Sequence, residues 1–283
     1  MSKKDNFLID KMFLPESEEE IETRRRKNFE LSKLNPENMS YWFPKIESST
    51  TKDNSILQIP ITRIIQMDYS TWTWLRSDDY SDNNVKVFND VLLGKIQDFM
   101  DGKKLFMKTG IFSDKFVFDK TIVEDKNREE VGRYFLDIYY NSMVVGADTT
   151  SEIVFREYIE DKEELPTIYY GMPLHTEFRV FYDFDEKKSV GVANYWHPDV
   201  MEIGLYNKKD QTVYSHEKDR IVKEYRENKE MVVSEVEKYM DGCSGLSGRW
   251  SVDVMKNAED YWIIDMARME RSALVDMMEE VIK

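Results

Sequence analysis

Cysteine is nearly absent from this sequence: Cys243 is the only one in 283 residues. A single thiol excludes an intramolecular disulfide and any cysteine-rich zinc site, which fits a reducing compartment. Histidine is almost as scarce, and His175, His197 and His216 show none of the spacings used by metal-binding histidines. No apolar run is long enough for a membrane span, and the first 30 residues lack the apolar stretch of a signal peptide. The expected location is therefore cytoplasmic, with no membrane partner. Positive charge is in deficit too: 40 Lys+Arg against 55 Asp+Glu give a formal net charge of -15. That balance opposes nucleic acid as a main partner, because a polyphosphate backbone would be repelled. An anionic ligand would need bases gathered locally, so clustered Lys and Arg are informative.

What is present describes an ordered globular chain. Hydrophobic residues make up 41% and aromatics 13%, and the length suffices for two or three subdomains with a cleft between them. Residues 15–35 predict a charged helix, with Pro15 near its start, acidic residues in the first turn and the Arg24–Lys27 run further on, a solvated face. The phrase NPENMSYWFPKI reads as a loop, ILQIPITRIIQM as a strand and its approach, and Trp72 and Trp74 as two residues on one face of a strand. VKVFNDVLLGKIQDFM has helical spacing and stops at Asp101-Gly102. KLFMKTGIFSDKFVF predicts a hairpin with Phe116 and Phe118 on its second strand. A helix over 127–143, a strand in SEIVFREYIE and a hairpin turning at 185–188 follow. The chain should close with a helix over 217–240, a hairpin in WSVDVMKN and DYWIIDMA, and a last helix in ERSALVDMMEEVIK.

The chemistry concentrates on these strands. Asp253 and Asp265 each interrupt an apolar strand of the final hairpin, and an ionised carboxylate buried there needs a metal, a base or a turn to cap. At facing positions the two would suit magnesium, which takes one or two carboxylates plus waters and phosphates. Facing solvent or an arginine is the alternative. Two bare carboxylates side by side also repel, so replacing either with Asn should leave the unliganded protein at least as stable. Upstream strands carry Lys108, Lys115, Arg156 with Glu157, and Glu177 with Arg179, charges of the kind that phosphate recognition uses. For Arg179 a salt bridge with Glu177 or Glu157 is an equal reading.

Over residues 105–272 these phrases resemble the ATP-grasp superfamily. MKTGIFSDKF is similar to its strand lysine and phosphate loop, REYIE to its hinge strand, HTEFRVF to the strand whose glutamate faces ribose, and WSVDVMKNAEDYWIIDMA to its metal-binding hairpin. Together with YWFPKI, EFRVF and the VDV…IDM hairpin resemble most the cell-division-cycle-type and phage or bacterial members. The resemblance implies an α+β ATP-grasp fold: two α+β subdomains, 103–165 and 166–283, gripping ATP and Mg2+, preceded by an N-terminal α/β subdomain, 1–102. It implies that Lys108 meets the adenine-proximal phosphates, that the hinge residues Arg156, Glu157, Tyr158 and Ile159 frame adenine, and that Glu177 faces ribose. Arg179 would reach the phosphates, Lys115 would be delivered to the γ-phosphate by its loop, and Asp253 and Asp265 would hold the metal. The family's Asn two residues after the second carboxylate is Ala267 here, leaving Glu270 or Arg268 as substitutes.

Two functions follow from the resemblance. One is an ATP-dependent carboxylate–amine ligase working through an acyl phosphate, with a small-molecule or peptide acceptor. The other is an ATP-binding assembly factor that engages a protein with little turnover. A nucleotidyltransferase ligase is disfavoured, since MKTG lacks the Asp or Asn of its lysine motif, and GCSGLSG lacks the spacing of a phosphate-binding P-loop.

Overall fold

Two sheets, each backed by helices, face one another across a cleft. The computed structural model describes residues 16–77, 79–147 and 149–280. In chain order, α1 (Glu18–Lys33) and α2 (Met39–Glu47) precede β1 (Leu57–Gln58) and β2 (Thr62–Gln66), and α3 (Tyr69–Trp74) and α4 (Asp82–Met100) come next. The middle of the chain holds β3 (Leu105–Thr109), β4 (Ile122–Val123), α5 (Val131–Val144) and β5 (Glu152–Glu157). The rest comprises β6 (Thr167–Ile168), β7 (Met172–Pro173), β8 (Glu177–Asp183), β9 (Lys188–Asn194), α6 (Pro198–Gly204), α7 (Lys208–Asp241), β10 (Arg249–Asn257), β11 (Asp260–Arg268) and β12 (Glu279–Glu280).

The smaller sheet has the order β2-β5-β3-β4 and is antiparallel. Its Ile153 and Phe155 from β5, with Leu105 and Met107 from β3, point into a core shared with Phe88, Leu92 and Ile96 of α4 and Phe135 of α5. The larger sheet has the order β1-β11-β10-β8-β9-β12, in which only the β1–β11 pair is parallel. One face packs Phe178, Val180, Tyr182, Val252, Val254 and Ile263 against α7 and α2. The alternation of a strand then sends Glu177, Arg179 and Asp253 to the opposite face, toward the smaller sheet. The first 66 residues add a strand to each sheet, β1 to the larger and β2 to the smaller. A third apolar cluster, with Phe118, Met172, Leu174, Trp196 and Tyr214, closes one side of the cleft.

Local signals explain most boundaries. α1 opens with a capping box, Ser17 Oγ accepting from the Glu20 N–H while the Glu20 carboxylate accepts from the Ser17 N–H; Pro15 lies outside the described residues. α4 is capped by Ser81 and ends where Asp101 and Gly102 turn left-handed, at φ 29° and 75°. Four expectations are corrected. NPENMSYWFPKI contains a helix, α2, because Met39, Trp42, Phe43 and Ile46 repeat at helical spacing and bury one face. Trp72 and Trp74 sit on α3, where spacing by two separates them. Phe116 and Phe118 lie in a 3-10 turn over Lys115–Lys120, and β4 takes the place of the hairpin's second strand. The described part of the last predicted helix is two 3-10 turns and β12, since Leu274 turns left-handed at φ 69°.

The α4–α5 crossing depends on one missing side chain. The Gly132 N–H donates to Asn89 Oδ1 at 2.8 Å, and a Cβ on Gly132 would lie 3.0 Å from the Asn89 backbone. Gly132→Ala should therefore destabilise the protein by about 1–3 kcal/mol through overpacking. Gly94→Ala on α4, with nothing within 4 Å of the added methyl, should stabilise it by up to about 1 kcal/mol through helix propensity. Urea unfolding of the two variants checks the opposite signs.

Candidate functional site

The cleft between the sheets has a cavity volume of about 150 Å³ and opens to solvent. Its charged lining comes from separate strands: Lys108 from β3, Arg156 and Glu157 from β5, Glu177 from β8, Asp253 from β10 and Asp265 from β11, with Lys115 reaching in from the loop after β3. Two residues along β3 and β10, on the same face, the lining turns apolar, Phe106 beyond Lys108 and Met255 beyond Asp253.

Each carboxylate of the closing hairpin holds a base from another strand. Arg179, directly across from Asp253 in the β8–β10 register, grips it with both forks, Nε to Oδ1 at 2.8 Å and Nη2 to Oδ2 at 2.7 Å. The third arm of Arg179 donates to the Ala273 carbonyl at 3.1 Å. Burial works against the Arg179 charge, but Asp253 outweighs it and lifts its pKa above the usual arginine value. Lys108, 1% exposed, donates from Nζ to Asp265 Oδ2 at 2.8 Å, and the Met266 N–H donates to Asp265 Oδ1 at 3.0 Å. The buried Asp253, Arg179 and Lys108 thus satisfy the requirement that a buried charge be paired.

Asp253 and Asp265 oppose one another only because β11 is bulged. From the turn up to Val254↔Ile263 the ladder is regular, and continued regularly it would set Asp253 against Ile264. The register slips by one residue there, so Asp253 faces Asp265 and Ile264 is left over. The core confirms the change of phase: Tyr261, Ile263 and Met266 all lie in the α7-side core, while Ile264 and Asp265 line the cleft. The Arg156 guanidinium, buried between the sheets, donates to the carbonyls of Ile264 and, at 3.4 Å, Ile263. Burial lowers its pKa to about 10, with Asp265 opposing the fall. Arg156 therefore touches the bulge backbone, a contact its place on the hinge strand did not suggest.

The other expected residues fall at defined places. Glu157 stands at the rim, 3.3 Å from Lys103, while Tyr158 and Ile159 line the cleft just after β5. Burial pushes the Tyr158 hydroxyl up to about 12. Lys115 Nζ lies over two rings, 3.6 Å from the Tyr195 centroid and 4.4 Å from that of Trp196, a cation–π cage. Arg268 and Glu270 pair with each other at 3.6 Å, and neither is among the residues that line the cleft. Among the described residues no group of three or more His, Cys, Asp or Glu is placed to hold a metal, so a metal here would rest on Asp253 and Asp265. His175, Tyr195, Met172, Pro173 and Ser113 also line the cleft; they sit in loops or short strands whose sequences carry no periodic signal. No helix among the described residues is long and apolar enough to cross a membrane.

No protein-family model matches the sequence, and no curated protein does. Among solved structures the chain is similar to Cdc123 from Schizosaccharomyces pombe, with 14% identity over 86% of this chain and 90% of that one at a TM-score of 0.52. The C-terminally truncated form of that protein gives 13% identity, 87% and 92% coverage and a TM-score of 0.53. A RimK domain ATP-grasp protein from Sphaerobacter thermophilus also matches, with 8% identity over 85% of this chain and 61% of that one at a TM-score of 0.37. The fold is of the ATP-grasp type, as the strand and hairpin motifs implied, and its class is α+β.

The ion pairs overturn one expectation from the sequence. With Arg179 and Lys108 in place, an Asn at either position relieves no repulsion but strands a buried cation. Asp253→Asn should destabilise the unliganded protein by about 3–5 kcal/mol, and Asp265→Asn by less, since the Asp265 side chain is 34% exposed; thermal melts check the order. A second prediction concerns Glu177, whose pKa burial raises from 4.5 to about 7, with Lys115 opposing. Below pH 4.5 both folded and unfolded states hold this proton. Between about 4.5 and 7 the unfolded state releases it first, so stability falls as pH rises, by about 3 kcal/mol in full. Glu177→Gln should flatten that segment of the stability–pH curve measured by denaturant unfolding.

Proposed function

We propose that the cleft binds Mg-ATP and that the protein is an ATP-dependent ligase. One observation carries the reading: two facing carboxylates, one paired with a base from the adjacent strand and one with a base from the other sheet, line a single cleft that turns apolar along β3 and β10. The donor set fits magnesium, being two carboxylates without thiol or imidazole. Asp253 and Asp265 would hold it, and when bound it would neutralise phosphate charge. Lys108 and Arg179 are the cations that meet the phosphates, Lys115 approaches from the loop side, and Glu177 accepts from the ribose hydroxyls. The N–H groups of Glu157 and Tyr158 are already taken by the Ile61 and Lys104 carbonyls, at 2.8 and 3.0 Å. A backbone N–H donor to the adenine edge is therefore that of Ile159 or a later residue.

In the ligase reading an acceptor carboxylate attacks the γ-phosphorus, the bond to the bridging oxygen breaks, and ADP leaves. The acyl phosphate then passes its acyl group to an amine with loss of phosphate. This chain supplies positioning and charge complementarity. A second reading, an assembly factor that binds ATP and retains a protein, is favoured by apolar side chains left in water after β9: Ile203 is 82% exposed and Tyr206 93%, surfaces of a kind that partners cover.

Calorimetry tests the common part. ATP should bind at least tenfold more tightly than GTP, and Lys108→Ala should weaken ATP about tenfold or more while melting cooperatively. Equal affinities, or a variant that loses its melting transition but not its ATP affinity, would contradict the reading. Phosphate release against pooled amino acids and peptides then separates the two functions: acceptor-dependent ADP formation supports the ligase, and retention of protein with negligible turnover supports the assembly factor.

A further inference from the structure

The reading of Asp253 and Asp265 as a facing pair depends on the bulge at Ile264, and a bulge leaves backbone groups outside the ladder. Here those groups lie between two sheets, where a carbonyl without a donor costs about as much as a lost hydrogen bond. The donor comes from the other sheet. Arg156, 5% exposed, reaches from β5 to the Ile264 and Ile263 carbonyls and also donates from Nε to Thr62 Oγ1 at 3.3 Å. No carboxylate is hydrogen-bonded to this guanidinium among the described residues; its acceptors are two carbonyls and a hydroxyl. A cation so placed is not explained as half of a salt bridge. It is explained by the backbone it caps.

The consequence is geometric. In a strand a one-residue slip turns every following side chain to the opposite face. Without the bulge, the ladder that runs regularly to Val254↔Ile263 would place Ile264 opposite Asp253 and turn Asp265 away from the cleft, separating it from Lys108. Resting on the Mg-ATP reading of the cleft, we propose that Arg156 is a positioning residue: by satisfying the carbonyls of the bulge it fixes the phase of β11, so that Asp265 stands beside Asp253 on the cleft face. It also ties the hinge strand of one sheet to the metal-binding hairpin of the other, so the two halves of the site are held in one register.

Two variants of the full chain test this. Arg156→Met keeps the length of the side chain and removes the donors. Deletion of Ile264 removes the bulge itself: the shortened β11 would pair regularly with Asp265 opposite Asp253, and no carbonyl would need capping. ATP affinity is measured with magnesium and with EDTA, and backbone amide exchange is followed along β10 and β11 without nucleotide. Arg156→Met should lose at least tenfold of the magnesium-dependent tightening, read as the ratio of its own affinities with magnesium and with EDTA, and exchange faster at residues 263–266. Adding the deletion to Arg156→Met should restore both the tightening and the protection. A merely structural arginine would lower the melting temperature of Arg156→Met without altering its magnesium ratio, and that result overturns the proposal. So does a double variant that regains neither property, or that fails to fold when Arg156→Met fails. If the parent shows no magnesium dependence, the reading of the cleft has failed instead, and the exchange data still judge the bulge.

Discussion

Charge buried between two sheets is the constraint on which the rest of this structure depends. Lys108, Arg156, Arg179 and Asp253 are each less than one-tenth exposed, and an isolated ion in such a place is penalised by several kcal/mol even after relaxation. The fold meets the penalty by crossing strands. Arg179 reaches Asp253 along a rung of one sheet, Lys108 reaches Asp265 from the other sheet, and Arg156 reaches the carbonyls that a bulge exposes. Hydrophobic residues of matching shape would pack there at no such cost, so the pairs are better explained by what the cleft must hold than by stability.

The same pairs cancel one another, two carboxylates against two bases. Lys115 and Arg156 add positive charge to the same cleft, in a chain whose formal net charge is -15. A bare triphosphate would meet the carboxylates as well as the bases, and a magnesium complex answers both signs together. Glu177 adds a group of a different kind: burial raises it to about 7, close to neutrality, where a carboxyl can both donate to and accept from hydroxyl groups.

Much of this was legible in the sequence, and the reasons differ by element. The hairpins of β8–β9 and β10–β11 show period-two alternation on either side of clear turns, and the charged residues that interrupt them are conspicuous against apolar neighbours. α2 was misread because Pro44 and the Asn-Pro phrase before it signal a loop, whereas its four buried residues repeat at helical spacing. Lys115, expected on a strand of the β3 hairpin, instead opens a 3-10 turn, and the aromatic cage of Tyr195 and Trp196 that holds it comes from 80 residues downstream, a contact no local pattern encodes. The bulge was hidden for a similar reason. Counting back from the turn, a regular hairpin pairs Asp253 with Ile264, and only the burial of Ile263 and Met266 on one face, three residues apart, reveals the extra residue. Arg156 could be seen as a base on the hinge strand, while its acceptors, being backbone carbonyls of a bulge, leave no trace in residue types.

The central claim is that this cleft is where ATP sits, with the base against Phe106, Met255 and Ile264 and the phosphates against Lys108 and Arg179. Photolabelling with 8-azido-ATP in the presence of magnesium, followed by peptide mapping, tests it most directly. The account predicts covalent label on the cleft segments around 156–159, 172–175 and 253–265, suppressed by excess ATP. Label elsewhere on the chain, or label in the cleft that excess ATP does not suppress, would contradict it.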